Sequence, residues 1–217
     1  MLDETGTELT GTFSRRRFLV TGGGTALLWL LGTSAAMAWV RPTVPNILGP
    51  YHRKGAPYRT KLNTANEPGK PLIIKGLVTD TNGKPVAGAV VDVWQADDGG
   101  HYDNDDAAHP PSANTFKLRG QMKTDASGRY EFETIVPGQY DMEPGVKRPS
   151  HIHYIVTQPG FVPLTTQLYF KADPHLAADP FVRPSLIIDL AKRPANAQFP
   201  KGHQSGTFNI VLQRPAN

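Results

Sequence analysis

From about Leu72 onward the chain is built of short runs of β-branched and aromatic residues separated by glycine and proline, and the 3.6-residue rhythm of an amphipathic helix is scarce. Tyr130, Phe132 and Thr134 alternate with Glu131 and Glu133, so that stretch has one apolar face and one wet face. The pattern predicts strands at Leu72–Thr79, Ala89–Gln95, Arg129–Ile135, His151–Thr157, Thr165–Phe170, Ser185–Leu190 and Thr207–Gln213. In His151–Thr157 the reverse-face residues Ile152, Tyr154 and Val156 are also apolar, which places this strand in the interior of a sandwich. Asp80-Thr81-Asn82-Gly83 and Asp125-Ala126-Ser127-Gly128 read as turns, because Asp and Asn close locally on their own backbone and Gly accepts positive φ. The fold class expected is all-β, a β-sandwich.

Two long stretches break the strand pattern. Between Ala96 and Leu118 the chain is polar and irregular, with Asp97, Asp98, Asp103, Asp105 and Asp106 around Tyr102. A loop of that length in a compact domain is usually functional or disordered, and the tyrosine inside it favours function. Its acidic run reads as solvated surface rather than a calcium site, because it lacks EF-hand ligand spacing. Residues 39–70, rich in Pro and Gly, are expected to form an extended arm. That arm carries Gly49-Pro50-Tyr51, readable as the mouth of a site or as packing on a neighbouring sheet or subunit.

Upstream, Ser14-Arg15-Arg16-Arg17-Phe18-Leu19 is a twin-arginine export signature, followed by an apolar stretch to Leu31 and the small-residue site Ala36-Met37-Ala38. The apolar stretch is shorter than the ~20 residues needed to span a bilayer and is loosened by Gly22, Gly23 and Gly24, so no stable membrane anchor is expected. Residues 1–38 thus read as a leader cleaved after Ala38, with the protein exported already folded to the periplasm or beyond. The leader holds as many arginines as acids, so the remaining chain keeps the formal charge of +4. That excess is too mild and too scattered for nucleic acid. With no cysteine in 217 residues, disulfides, thiolate zinc sites and cysteine-ligated iron–sulfur clusters are excluded.

Any metal must therefore use His, Tyr, Asp or Glu. His151-Ile152-His153 offers a pair, since alternate residues of a strand share a face and two imidazoles there can converge on one ion. Tyr102 and Tyr140 follow Gly-bounded turns and supply two phenols. Phenol titrates near pH ~10, so it binds as an anion only where a strongly acidic cation displaces its proton. Two phenolates with two imidazoles make a hard donor set that suits Fe(III). Taken singly, either tyrosine reads as a loop aromatic covering a core edge.

Asp92-Val93-Trp94-Gln95-Ala96, Gly100-His101-Tyr102, Thr124-Asp125-Ala126-Ser127-Gly128-Arg129-Tyr130, Pro137-Gly138-Gln139-Tyr140, Arg148-Pro149-Ser150-His151-Ile152-His153 and Thr166-Gln167-Leu168-Tyr169-Phe170 resemble, in order and approximate spacing, the motifs of intradiol ring-cleavage dioxygenases. The resemblance runs from about Gly49 to about Leu190. It implies a prealbumin-like sandwich over residues 71–217, with long loops forming the metal site. It also implies one non-haem Fe(III) per chain, held by Tyr102, Tyr140, His151 and His153. Tyr102 and His151 would be equatorial, Tyr140 and His153 axial, and Tyr140 would leave the metal as the diol arrives and take one of its protons. Catechol and O2 would be the substrates and a cis,cis-muconate-type diacid the product.

By the same resemblance Arg148 would stabilise charge developing on the ring, and Gln167 would hydrogen-bond near the substrate. Trp94 reads as core, and His52, His101, His109, His175 and His203 as surface or structural positions. The helical N-terminal segment of catechol and hydroxyquinol dioxygenases has no evident counterpart, and the ligand set sits in one chain, so a homodimer is plausible. Arg53, Lys54 and Arg59 are candidates for a substrate carboxylate or for solvated charges. Gly76 to Val90 also resembles the opening hairpin of non-catalytic prealbumin-like and carboxypeptidase-regulatory-like binding modules. That leaves an exported binding module as the second reading.

Overall fold

The computed structural model describes residues 39–143 and 145–216; the expected leader, with its twin arginines and cleavage site, lies outside the described residues. The strands are β1 (Pro71–Asp80), β2 (Val90–Gln95), β3 (Arg119–Lys123), β4 (Arg129–Ile135), β5 (Tyr140–Glu143), β6 (Val146–Arg148), β7 (His151–Thr157), β8 (Leu164–Phe170), β9 (Ile187–Ile188), β10 (Ala191–Arg193), β11 (His203–Thr207) and β12 (Ile210–Leu212). The described residues hold no α-helix, only a 3-10 turn at Pro184–Leu186, and no helix long and apolar enough to cross a membrane.

Two five-stranded sheets form the expected sandwich. In one, β1 pairs with β4 on one side and with β11 and β12 on the other, and β10 extends β11. The second runs β3-β2-β7-β8-β9. Alternation decides what lies between them. Leu72, Ile74 and Val78 of β1 and Tyr130 and Phe132 of β4 meet Val91 and Val93 of β2, Ile152, Tyr154 and Val156 of β7, and Leu168 of β8 in one core. Tyr154 and Phe132 sit 6.2 Å apart by ring centroid, inside the range where aromatic pairs attract beyond their area.

β7 is the central strand of its sheet and is buried on both faces. With Ile152, Tyr154 and Val156 pointing into the core, the period of two sends His151 and His153 to the opposite face. Register then sets their neighbours on that face: His153 stands opposite Trp94 of β2 and Gln167 of β8, and His151 opposite Tyr169. The outer face of this sheet is therefore where the chemistry-bearing residues gather.

Five of the seven expected strands form with ends within a residue of those read from the sequence. Two expectations need correction. Ser185–Leu190 is largely not a strand: Pro184 begins a 3-10 turn, because its fixed φ and missing N–H favour a turn over a ladder, and only Ile187–Ile188 pair with β8. Thr207–Gln213 holds only the last residue of β11, which begins earlier at His203, and the short β12, with a break at Phe208 and Asn209. There Tyr130 Oη donates to Phe208 O at 2.6 Å and the Asn209 side chain accepts from Leu77 N at 3.0 Å, replacing a ladder bond. Both turns form as read, with Asp125 Oδ1 accepting from Ser127 N and Arg129 N, and Asp80 Oδ1 from Asn82 N and Lys84 N.

Candidate metal centre

Residues 39–70 contain no strand and touch the sheets through isolated bridges, Tyr58 with Gln121 and Lys61 with Glu133. Asn46 N donates to Thr165 O at 2.8 Å, which carries the arm past β8. A Cβ built on Gly49 would stand 3.1 Å from His153 Cε1, so the backbone passes against that ring. Two residues on, Tyr51 stacks on Tyr102 with centroids 4.3 Å apart. Gly49-Pro50-Tyr51 thus packs against the rings of His153 and Tyr102.

The two tyrosine loops are fastened back to back. Asp97 organises the first: its Oδ1 accepts from Gly99 N and His101 N, and its carbonyl accepts from Gly138 N at 2.7 Å in the second loop. Gly100 has φ +89°, and a Cβ there would lie 2.2 Å from Gln139 O; one on Gly138 would lie 2.3 Å from Asp98 O. No side chain fits at either place, and the contact brings Tyr102 and Tyr140 together with ring centroids 5.9 Å apart.

The acidic run is not merely solvated surface. The Asp103 side chain, 2% exposed, accepts from Arg119 Nε at 2.7 Å and Arg53 Nη1 at 2.8 Å, while Arg119, 1% exposed, also donates to Tyr51 O at 2.6 Å. One buried carboxylate thus joins the Tyr102 loop to the arm. Arg53 also donates to Thr115 O and Ser112 O, and Arg59 to Arg119 O and Phe116 O, so both are bound to backbone rather than held out to a ligand. Arg119 and Asp103 were not legible as site residues; the only trace was a lone arginine amid the glycine and polar residues of β3.

Three of the four expected donors meet. Tyr102 Oη lies 3.3 Å from His151 Nε2 and 3.2 Å from His153 Nε2, and the two imidazole nitrogens are 3.1 Å apart. Tyr140 flanks them, its ring 5.7 Å from that of His151 and its hydroxyl 3.5 Å from Arg148 Nη1. His151 Nδ1 donates to Pro149 O at 2.6 Å, which leaves the Nε2 lone pair facing the cluster.

Burial, and then the Arg148 charge, lower the pKa of His151 to about 3. Burial, His151 and Arg148 hold His153 well below its ordinary value. Burial raises both Tyr102 and Tyr140, opposed by Arg148 in each case. Without a cation, then, two neutral imidazoles and one phenol face each other at neutral pH. His153 Nδ1 has no hydrogen-bond partner among the described residues, so whichever of its nitrogens carries the proton, one imidazole nitrogen of the cluster is left unsatisfied in a buried place. Donors set at right angles around an ion at bond lengths of about 2.1 Å would stand roughly 3 Å apart, so these spacings fit a shared ion.

Trp94, buried as expected of a core residue, also stacks on His153 at 4.8 Å and 7°, and the tilted ring of His52 lies 4.6 Å from it. His101 and His109 are exposed, as expected. Arg148 is buried rather than at the surface: Nε donates to Asp179 Oδ2 at 2.7 Å, and Nη2 to Gln167 Oε1 at 2.9 Å and Tyr169 Oη at 3.0 Å. Gln167 is likewise fully buried, its Nε2 donating to Ile47 O of the arm at 2.9 Å.

A family model described as dioxygenase matches residues 47–214. Catechol 1,2-dioxygenase 2 of Acinetobacter lwoffii is 37% identical over 153 residues, covering 63% of this chain and 54% of that protein. The protocatechuate 3,4-dioxygenase beta chain of Burkholderia cepacia is 40% identical over 156 residues, covering 67% of this chain and 65% of its own. Among solved structures, catechol 1,2-dioxygenase of Acinetobacter radioresistens superposes with a TM-score of 0.74 at 31% identity, over 82% of this chain and 64% of that one. The chain spans 54% and 59% of the length of the first two curated relatives it matches.

Proposed function

Because this chain belongs to the intradiol ring-cleavage dioxygenase family, we propose that it is a non-haem Fe(III) enzyme opening a catechol-type ring between its two hydroxyl-bearing carbons with O2, to give a cis,cis-muconate-type diacid. The observation that carries this reading is the convergence of Tyr102, His151 and His153 within 3.1–3.3 Å of one another, with Tyr140 alongside. These four residues would hold the iron. The chemistry a ferric ion supplies when bound is Lewis acidity, which eases loss of the diol protons.

The chain's own groups do the rest. Pro149 O fixes the His151 tautomer, and burial keeps both imidazoles neutral and able to bind metal. Held as a phenolate when iron is bound, Tyr140 would be the residue to receive a diol proton at Oη and become the neutral phenol, with Arg148 Nη1 beside it to stabilise the phenolate beforehand. Arg148 also presents a fixed charge to the electron-rich ring. Tyr51 and Trp94 press on Tyr102 and His153 and keep water from their faces. With Arg53 and Arg59 committed to backbone carbonyls, only the exposed Lys54 of the three carboxylate candidates is left, so catechol or hydroxyquinol is placed ahead of protocatechuate.

The test is to load the protein with iron, record its visible spectrum, and supply catechol, hydroxyquinol and protocatechuate with O2. Tyrosinate bound to Fe(III) is coloured; ring-opened diacid with O2 uptake is expected, and Tyr102→Phe weakens the colour. A colourless protein after verified loading would return the molecule to the binding-module reading, which kinship with ring-cleaving enzymes does not favour. Export by the twin-arginine route to the periplasm or beyond belongs to the same proposal, tested by replacing Arg15 and Arg16 with lysine. A homodimer does too, tested by light scattering.

A further inference from the structure

Arg148 has five N–H groups, and the structure commits most of them on one side. Nε donates to Asp179 Oδ2, and Nη2 to Gln167 Oε1 and Tyr169 Oη, which leaves Nη1, 3.5 Å from Tyr140 Oη, as the end with donors to spare. We propose that Asp179 is a positioning residue: it grips Arg148 from behind so that the guanidinium is a one-ended donor aimed past Tyr140 at the diol. This rests on the function proposed above.

The grip is specific in its chemistry. Both oxygens of Asp179 act as acceptors, Oδ2 from Arg148 Nε at 2.7 Å and Oδ1 from Phe181 N at 2.7 Å. An amide there must turn its NH2 toward one of these donors and lose that bond. The pair is sealed from water, with the Arg148 side chain 3% and the Asp179 side chain 1% exposed, so solvent does not replace a lost partner. Phe181 lies over the guanidinium with its ring 5.1 Å from Cζ, and its carbonyl accepts from Asn46 Nδ2 at 2.8 Å, which ties the segment bearing Asp179 to the arm.

The other two partners are oriented in turn. Gln167 Nε2 donates to Ile47 O, which turns Oε1 toward Arg148, and Tyr169 Oη donates to that same Oε1 at 2.7 Å, leaving its own lone pair for Nη2. Those two neutral groups take Nη2, while Asp179 takes Nε–H and is the anionic partner of the three, so it contributes the strongest single hold on the guanidinium.

The test combines kinetics of the iron-loaded full chain with 15N NMR of the arginine side chains in metal-free protein. Parent protein is expected to show a slowly exchanging Arg148 Nε–H resonance beside that of the equally buried Arg119, identified because it disappears in Arg148→Lys, and it should exchange fast in Asp179→Asn. Misplacing a catalytic group by about 1 Å costs on the order of 100-fold, so Asp179→Asn should lower kcat by roughly 10- to 100-fold. KM for the diol should stay within about three-fold, because Arg148 aids the charge that develops during reaction. Asp179→Glu should recover part of kcat and of the slow Nε–H signal. An Asp179→Asn protein with kcat within two-fold of parent, or with the Arg148 Nε–H unchanged, overturns the proposal. So does a fall in kcat matched by an equal rise in KM. Should parent protein turn over no diol, the proposed function fails on that result alone, while the NMR arm still decides whether Asp179 holds Arg148.

Discussion

Asp103→Ala is the sharpest test of how the site is held together. The carboxylate is 2% exposed and answers two guanidiniums, Arg119 at 1% and Arg53 at 15% exposure, as well as Lys117 N at 3.1 Å. Removing it leaves Arg119 a buried cation with only Asn104 Oδ1 and Tyr51 O as acceptors. Breaking a buried pair by deleting one partner costs about 3–5 kcal/mol, because the survivor's charge stays desolvated. Arg53 adds little, about 0–1 kcal/mol, since it reaches water and keeps two carbonyl acceptors. The expected loss for Asp103→Ala is therefore about 3–5 kcal/mol. Urea unfolding of metal-free protein, followed by tryptophan fluorescence, measures it. Arg53→Ala serves as the contrast, within about 1 kcal/mol of parent. An Asp103→Ala protein within about 1 kcal/mol of parent would refute the view that this ion trio joins loop to arm.

Acid should weaken the metal-free fold. His151, lowered to about 3, and His153, lowered well below its ordinary value, stay neutral while the unfolded chain takes up protons near pH 6.5, so stability present above pH ~6.5 is lost as pH falls toward 3. The slope is on the order of 1 kcal/mol per pH unit for each imidazole; urea midpoints that stay flat from pH 6.5 to 5 would contradict it. Gly138→Ala drives a Cβ to within 2.3 Å of Asp98 O and should cost about 1–3 kcal/mol in thermal unfolding while weakening iron uptake. Lys171→Ala, which breaks an exposed pair with Asp189, should leave the melting temperature within error of parent.

What the sequence disclosed follows from what each element needs from its own residues. β4 and β7 are legible because Tyr130, Phe132, Ile152 and Tyr154 alternate on a fixed face, and that same alternation delivers His151 and His153 together. β3 is not, because Arg119-Gly120-Gln121-Met122-Lys123 has no β-branched or aromatic residue and pairs only because β2 lies beside it. The β5–β6 hairpin, whose Tyr140, Met142 and Val146 are set among charged residues in strands of four and three residues, and the three-residue β10 also went unseen. The donor residues stand out by type and spacing. Asp179, Asp103 and Arg119 do not, since a buried ion pair made across 16 or 31 residues leaves no local pattern.

The arm has a consequence for how the site comes and goes. Ile47 O, Gly49 and Tyr51 complete its wall, yet they belong to a stretch with no strand of its own, so the energy that keeps it docked is local rather than that of the sandwich. The molecule therefore carries two thresholds of unfolding. At denaturant doses that leave both sheets intact the arm should peel away first, abolishing the proposed turnover while the β-sheet signal persists, and a protease that nicks it should open the site without dissolving its scaffold.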